Sequence, residues 1–146
     1  MSQWYRVFGK SEAAPGPARL LEFLCEEHAD ATGDFRGDEQ GWFAARLKLG
    51  SQIIVLDRYL SEEEGLRGEL NSWAAWVEQT GHAEAARLMQ QLISTRQLFT
   101  LHAEEDETAA ASLRRLARWL AAQTDGVMQI DDEGFLTPEG TLLLPE

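Results

Sequence analysis

Leu66, Leu70, Trp73 and Val77 recur at i, i+4, i+7 and i+11 with glutamates and Arg67 on the opposite side, so residues 61–80 read as a helix with one apolar stripe. That stripe must face a core. Ser61 and Glu64 stand three residues apart as a capping box, in which hydroxyl and carboxylate each satisfy a first-turn amide, and Gly81 marks the stop.

Upstream, residues 3–8 alternate around Tyr5, Val7 and Phe8 and predict a short strand. Pro17 suits the first position of a helix, and Leu20, Leu21, Phe23, Leu24 and Cys25 then give a broad apolar face over about thirteen residues, ending near His28. Residues 32–41 are dense in glycine and aspartate and read as turn. Strict alternation follows, with Phe43, Ala45, Leu47 and Leu49 pointing one way and Trp42, Ala44, Arg46 and Lys48 the other, as in a half-buried antiparallel strand. Residues 52–57, built on the unbroken run Ile53, Ile54, Val55 and Leu56, read as a strand covered on both faces and therefore central.

Downstream, residues 83–93 form a shorter helix with Leu88, Met89, Leu92 and Ile93 on one side, antiparallel to the helix before it. Residues 97–101 predict a strand, the acidic run 104–107 a linker, and 108–124 a helix with Leu113, Leu116 and Leu120 inward. Residues 127–130, 135–136 and 141–144 are small closing strands around the acidic turn of Asp131, Asp132 and Glu133. The sum is an α+β fold: a mostly antiparallel sheet with four helices packed mainly on one face.

Arg19, Leu20, Phe23 and Leu24 match Arg115, Leu116, Trp119 and Leu120 at a constant offset, and residues 38–42 resemble 132–135. Two readings stand. Either residues 4–49 and 97–144 are copies of one strand–helix–strand–strand unit with a central strand and a helix pair inserted between them, or two amphipathic helices look alike by chance.

Composition narrows the partners. The 146 residues fit one domain over 1–146, and 44% apolar content supplies a core. Thirteen Lys and Arg against twenty-five Asp and Glu give a net charge of −12, which opposes attraction to nucleic acid and to anionic membrane surfaces. Cys25 stands alone and makes no intrachain disulfide, residues 1–10 lack the apolar region of a signal peptide, and no run reaches the roughly 20 apolar residues of a membrane span. A cytoplasmic location is expected.

Catalytic and metal-binding patterns are missing. Asp34, Asp38 and Glu39, and again Asp131, Asp132 and Glu133, lack the alternating ligand spacing of a calcium loop, while His28, His82 and His102 stand far apart without zinc spacing. No metal, cofactor or catalytic residue is assigned. Cys25 lies on an apolar helix face as packing, although His28 is three residues on; Arg114, Arg115 and Arg118 form the one basic cluster and read as a solvated helix face.

The binding expectation centres on Trp42. Its alternation turns it away from Phe43, Ala45 and Leu47 and sets it beside Asp38 and Glu39, an aromatic anchor with carboxylates for a protein partner with a basic surface; a covering helix or terminus is the competing reading. The expected function is therefore a small acidic protein-binding or regulatory protein. The alternatives are an enzyme or small-molecule binder with a pocket between sheet and helices, using Asp57 or Glu69, and a homodimer joined through the face bearing Trp42. The segments GDFRGDEQGWFAARL and DRYLSEEEGLRGELNSWAAWVEQ resemble stretches of small bacterial proteins with no assigned activity; the resemblance spans residues 33–79, implies a compact globular fold and brings no catalytic residue.

Overall fold

Eight strands form one antiparallel sheet because most of them carry apolar side chains at every second residue and are joined by short turns. The structure, a computed structural model, describes residues 3–63, 65–104 and 109–146. In chain order the elements are β1 (Tyr5–Gly9), α1 (Pro17–Cys25), β2 (Thr32–Asp38), β3 (Gly41–Leu49), β4 (Gln52–Leu60), α2 (Leu66–Gln79), α3 (Ala85–Ile93), β5 (Gln97–Glu104), α4 (Ala110–Gln123), β6 (Gly126–Ile130), β7 (Gly134–Leu136) and β8 (Leu142–Pro145). The sheet order is β2-β3-β4-β5-β1-β6-β7-β8. The α+β class and the antiparallel sheet are as the sequence pattern predicts.

The helices do not gather on one face. Neighbouring residues along the inner strands belong to different cores: Val7, Phe99, Met128 and Leu136 join α1 and α4, whereas Phe8, Leu98, Val127 and Phe135 join α2 and α3. Successive side chains of a strand point to opposite faces, so the sheet carries one helix pair on each side. The expectation of helices mainly on one face is corrected to two and two. β2 is an outer edge strand, while β6 lies beside β1 near the centre of the sheet.

Residues 32–41 hold a strand that the turn formers conceal. Edge strand β2 is largely exposed and buries little besides part of Phe35, which is why its composition is polar. Its pairing with β3 slips by one residue, Arg36 lying opposite Ala44 and Gly37 opposite Trp42, so Phe43 is the extra residue of a β-bulge. Gly37 is needed there: a Cβ would sit 2.8 Å from the Gly41 carbonyl oxygen. The bulge reverses the alternation. Trp42 turns into the core with Ala45, Leu47 and Leu49, 6% exposed, and Phe43 turns out at 40%.

β4 lies inside the sheet, but only Ile54, Leu56 and Arg58 are buried; Ile53, Val55 and Asp57 face the other side half-covered. α1 and α3 are shorter than the periodicity suggests, and α2 begins five residues later than expected. Gly65, in the left-handed region at φ 89°, precedes α2 without a side-chain cap. The expected partner in the capping box, Glu64, lies outside the described residues, as do residues 105–108 of the acidic run. The apolar stripe itself is interior: Leu66, Leu70, Ala74 and Val77 are buried, with Trp73 packed at the margin.

Leu70 is fully buried in the α2–α3 core, and truncating such a leucine removes transfer energy and leaves a cavity. Leu70→Ala is expected to lower unfolding stability by about 2–5 kcal/mol in urea titration, and Ile93→Ala, on an exposed position, by no more than about 0.5 kcal/mol. Equal losses at the two positions would contradict the assignment of faces.

Candidate functional site

The bulge separates the residues expected to act together. Trp42 packs edge-on to Phe35 at 5.8 Å, lies 5.9 Å from Phe99, and donates its indole N–H to the Pro15 carbonyl at 2.8 Å. An outward-facing anchor is thereby corrected to a core residue. Asp38 and Glu39 stay exposed at the β2–β3 turn, where the Asp38 carboxylate accepts the Gln40 amide at 2.8 Å. Behind them, buried Arg58 donates to Gln97 at 2.8 Å and to the Trp42 carbonyl at 3.0 Å. Burial lowers the Arg58 pKa, and the charges of Glu63 and Asp38 oppose that shift, so Asp38 steadies an interior guanidinium.

The other candidates are engaged in structure. Cys25 directs its thiol to the Ala31 carbonyl at 3.8 Å, and the His28 ring lies 3.4 Å from the Ser112 hydroxyl, so no thiol–imidazole pair forms. The carboxylates of the acidic turn are not idle: Asp131 holds Arg6 at 2.9 Å and accepts the Trp4 amide at 3.1 Å, and Glu133 holds Arg114. Lys10 and Asp125, 3.5 Å apart, line a cleft of about 470 Å³ beside α3 that also contains Glu84 and Arg87.

A surface left open by α2 and α3 has the features of a site. Direct cross-strand partners set Asp57, Thr100, Arg6, Gln129 and Phe135 in one row across β4, β5, β1, β6 and β7, all on the face that α2 covers. The row beneath the helices runs Tyr59, Leu98, Phe8 and Val127; the row beyond includes Val55, His102 and Trp4. The polar row is therefore the boundary between covered and open sheet. Arg6 is fixed there by Gln129 at 2.7 Å and by Asp131, and its guanidinium lies 5.4 Å from the Trp73 ring centre.

α2 walls this boundary with aromatics. Trp73 packs edge-on to Phe8, Phe135 and Trp76 at 5.7–6.3 Å, and Trp76, 6.3 Å from Phe135, is 38% exposed. Around them is a surface pocket of about 390 Å³ lined by Glu69, Ser72, Trp73, Trp76 and Glu146. Glu146 is anchored, its carboxylate accepting the Asp132 amide at 2.7 Å. Two indoles and two carboxylates line this pocket with no cation among the lining residues, and aromatic faces and carboxylates both attract positive charge. Glu69, expected near α2, belongs to this pocket. Trp76, offset by its spacing from the apolar stripe, reads from the sequence as a contact to the following helix and not as a site residue.

Among the described residues no helix is long and apolar enough to cross a membrane. Comparison of the chain with family models, curated proteins and solved structures returns no match.

Both tyrosine hydroxyls are held above their ordinary pKa, Tyr5 mainly by burial and Tyr59 by burial and then by the Asp57 charge. The folded chain then keeps these protons to higher pH than the unfolded chain, so their contribution is intact below about pH 10 and is lost as pH rises through the folded-state values. Phenolate absorbance should titrate at higher pH in the native protein than in denaturant. Superimposed curves would contradict the packing around Tyr5.

Proposed function

We propose that this chain is a small acidic protein-binding or regulatory protein that seats a cationic side chain of a partner protein in the Trp73–Trp76 pocket. The observation that carries the reading is the pairing of half-buried Trp73 and exposed Trp76 with Glu69 and Glu146, with no cation among the lining residues. A net charge of −12 steers basic partners inward and repels phosphate backbones, which favours a protein over a nucleic acid. A cytoplasmic setting accords with a chain whose one cysteine makes no disulfide.

The anchor is an aromatic flanked by carboxylates, as expected for Trp42, but located on α2. The catalytic alternative has less support: Asp57 is half-buried on an open sheet face and Glu69 lines a surface pocket, so neither is enclosed in the way a general acid or base requires.

Titration with a peptide of alternating arginine and glycine, followed by the tryptophan indole resonances, tests this reading. Saturable shifts at Trp73 and Trp76 are expected, weakening as salt rises, and Trp76→Ala should reduce affinity about fivefold. A glutamate–glycine peptide should leave the indoles unmoved. Unchanged affinity in Trp76→Ala, or equal binding of the acidic peptide, would refute the proposal.

A further inference from the structure

On the opposite side of the sheet, the acidic chain concentrates positive charge. Arg114, Arg115 and Arg118 of α4 line a surface groove of about 590 Å³ together with Phe23, Trp119 and Pro138. Among the described residues no carboxylate lines it. Its aromatic wall is a stack: Phe23 and Trp119 lie 4.5 Å apart with their planes at 12°, and the Arg115 guanidinium lies 4.1 Å from the Phe23 ring centre.

The three arginines are held from the rim. Arg114 bonds Glu133, a contact that raises its pKa and keeps it charged, while Arg115 meets Glu26 at 3.3 Å and Glu27 at 3.5 Å. Arg118 is different. Its Nε donates to the Pro138 carbonyl at 2.9 Å and its Nη2 to the Glu139 carbonyl at 3.0 Å, so the fork is oriented by neutral oxygens. Among the described residues it forms no ion pair, and its charge is not cancelled by a carboxylate. A guanidinium carries five N–H donors in a fixed plane matched to carboxylate and phosphate oxygens, and orienting it in advance lowers the entropy lost on binding.

We propose that this groove binds a small organic anion, a phosphate or carboxylate carried on a flat apolar body. Arg118 and Arg114 take the anionic head, and the edge of the Phe23–Trp119 stack with the Pro138 ring takes the body. The groove volume lies in the range of small-molecule sites. The site stands on α4 and α1, away from the Trp73–Trp76 pocket, and does not depend on what that pocket binds.

The test uses 1-naphthyl phosphate, with 1-naphthoate, inorganic phosphate and 1-naphthylmethylammonium beside it, read by calorimetry and by the Trp119 indole and Arg118 Nε–H resonances. Saturable binding of the naphthyl phosphate is expected, displaced by inorganic phosphate at higher concentration and not shared by the ammonium compound. The naphthoate arm shows which head group is preferred. Arg118→Gln should weaken binding about tenfold or more, the scale of a lost hydrogen bond to a charged group. Ala111→Glu, which puts a carboxylate on an exposed position of the lining and removes no existing contact, should abolish it with the melting temperature preserved. Trp76→Ala should bind as well as the parent. No saturable binding, equal binding of the ammonium compound, or unchanged affinity in Ala111→Glu would overturn the proposal.

Discussion

The structure depends on the double-sided apolar character of its inner strands. β1 presents Val7 to one face and Phe8 to the other, β5 does the same with Phe99 and Leu98, and β6 with Met128 and Val127. A strand buried on both sides cannot stand on one helical layer, because each face must lose its contact with water. The helices therefore divide. α1 and α4 cover β1 and β3–β6 on one side; α2 and α3 reach β1 and β5–β8 on the other, leaving the outer part of that face over β3 and β4 without a helix. The polar row Asp57–Thr100–Arg6–Gln129 and the aromatics of α2 lie along this margin.

One short acidic turn serves both sides. Asp131 fixes Arg6 beneath Trp73, and Glu133 fixes Arg114 at the groove of α4. These pairs are partly exposed, and solvent screens them, so orientation of the two guanidiniums matters more than their contribution to stability. Charge is thereby sorted within an acidic molecule. Carboxylates border the indole pocket, and arginines line the groove on the other face.

Much of this was legible in the sequence where periodicity is strong. The stripe Leu66, Leu70, Val77 announced α2, and Leu113, Leu116, Leu120 announced α4, since an amphipathic helix writes its buried face at fixed spacing. β2 was hidden because an edge strand with little to bury has no apolar alternation. The inward turn of Trp42 was hidden because a bulge shifts the period by one residue and only the β2–β3 register reveals it. The two-sided sheet had a signal in adjacent apolar pairs such as Val7 with Phe8 and Leu98 with Phe99. The indole pocket joins α2 to β7 and Glu146, contacts remote in sequence that spacing within one helix does not encode.

Native-state hydrogen exchange followed residue by residue with increasing denaturant measures the clamping of the sheet from both faces most directly. If both helical layers belong to one core, the slowest amides of β1, β5 and β6 and those of α2 and α4 should lose protection together, at the free energy of global unfolding. An α2–α3 layer that opens at much lower free energy, with the amides of β1 and β6 still protected, would contradict it.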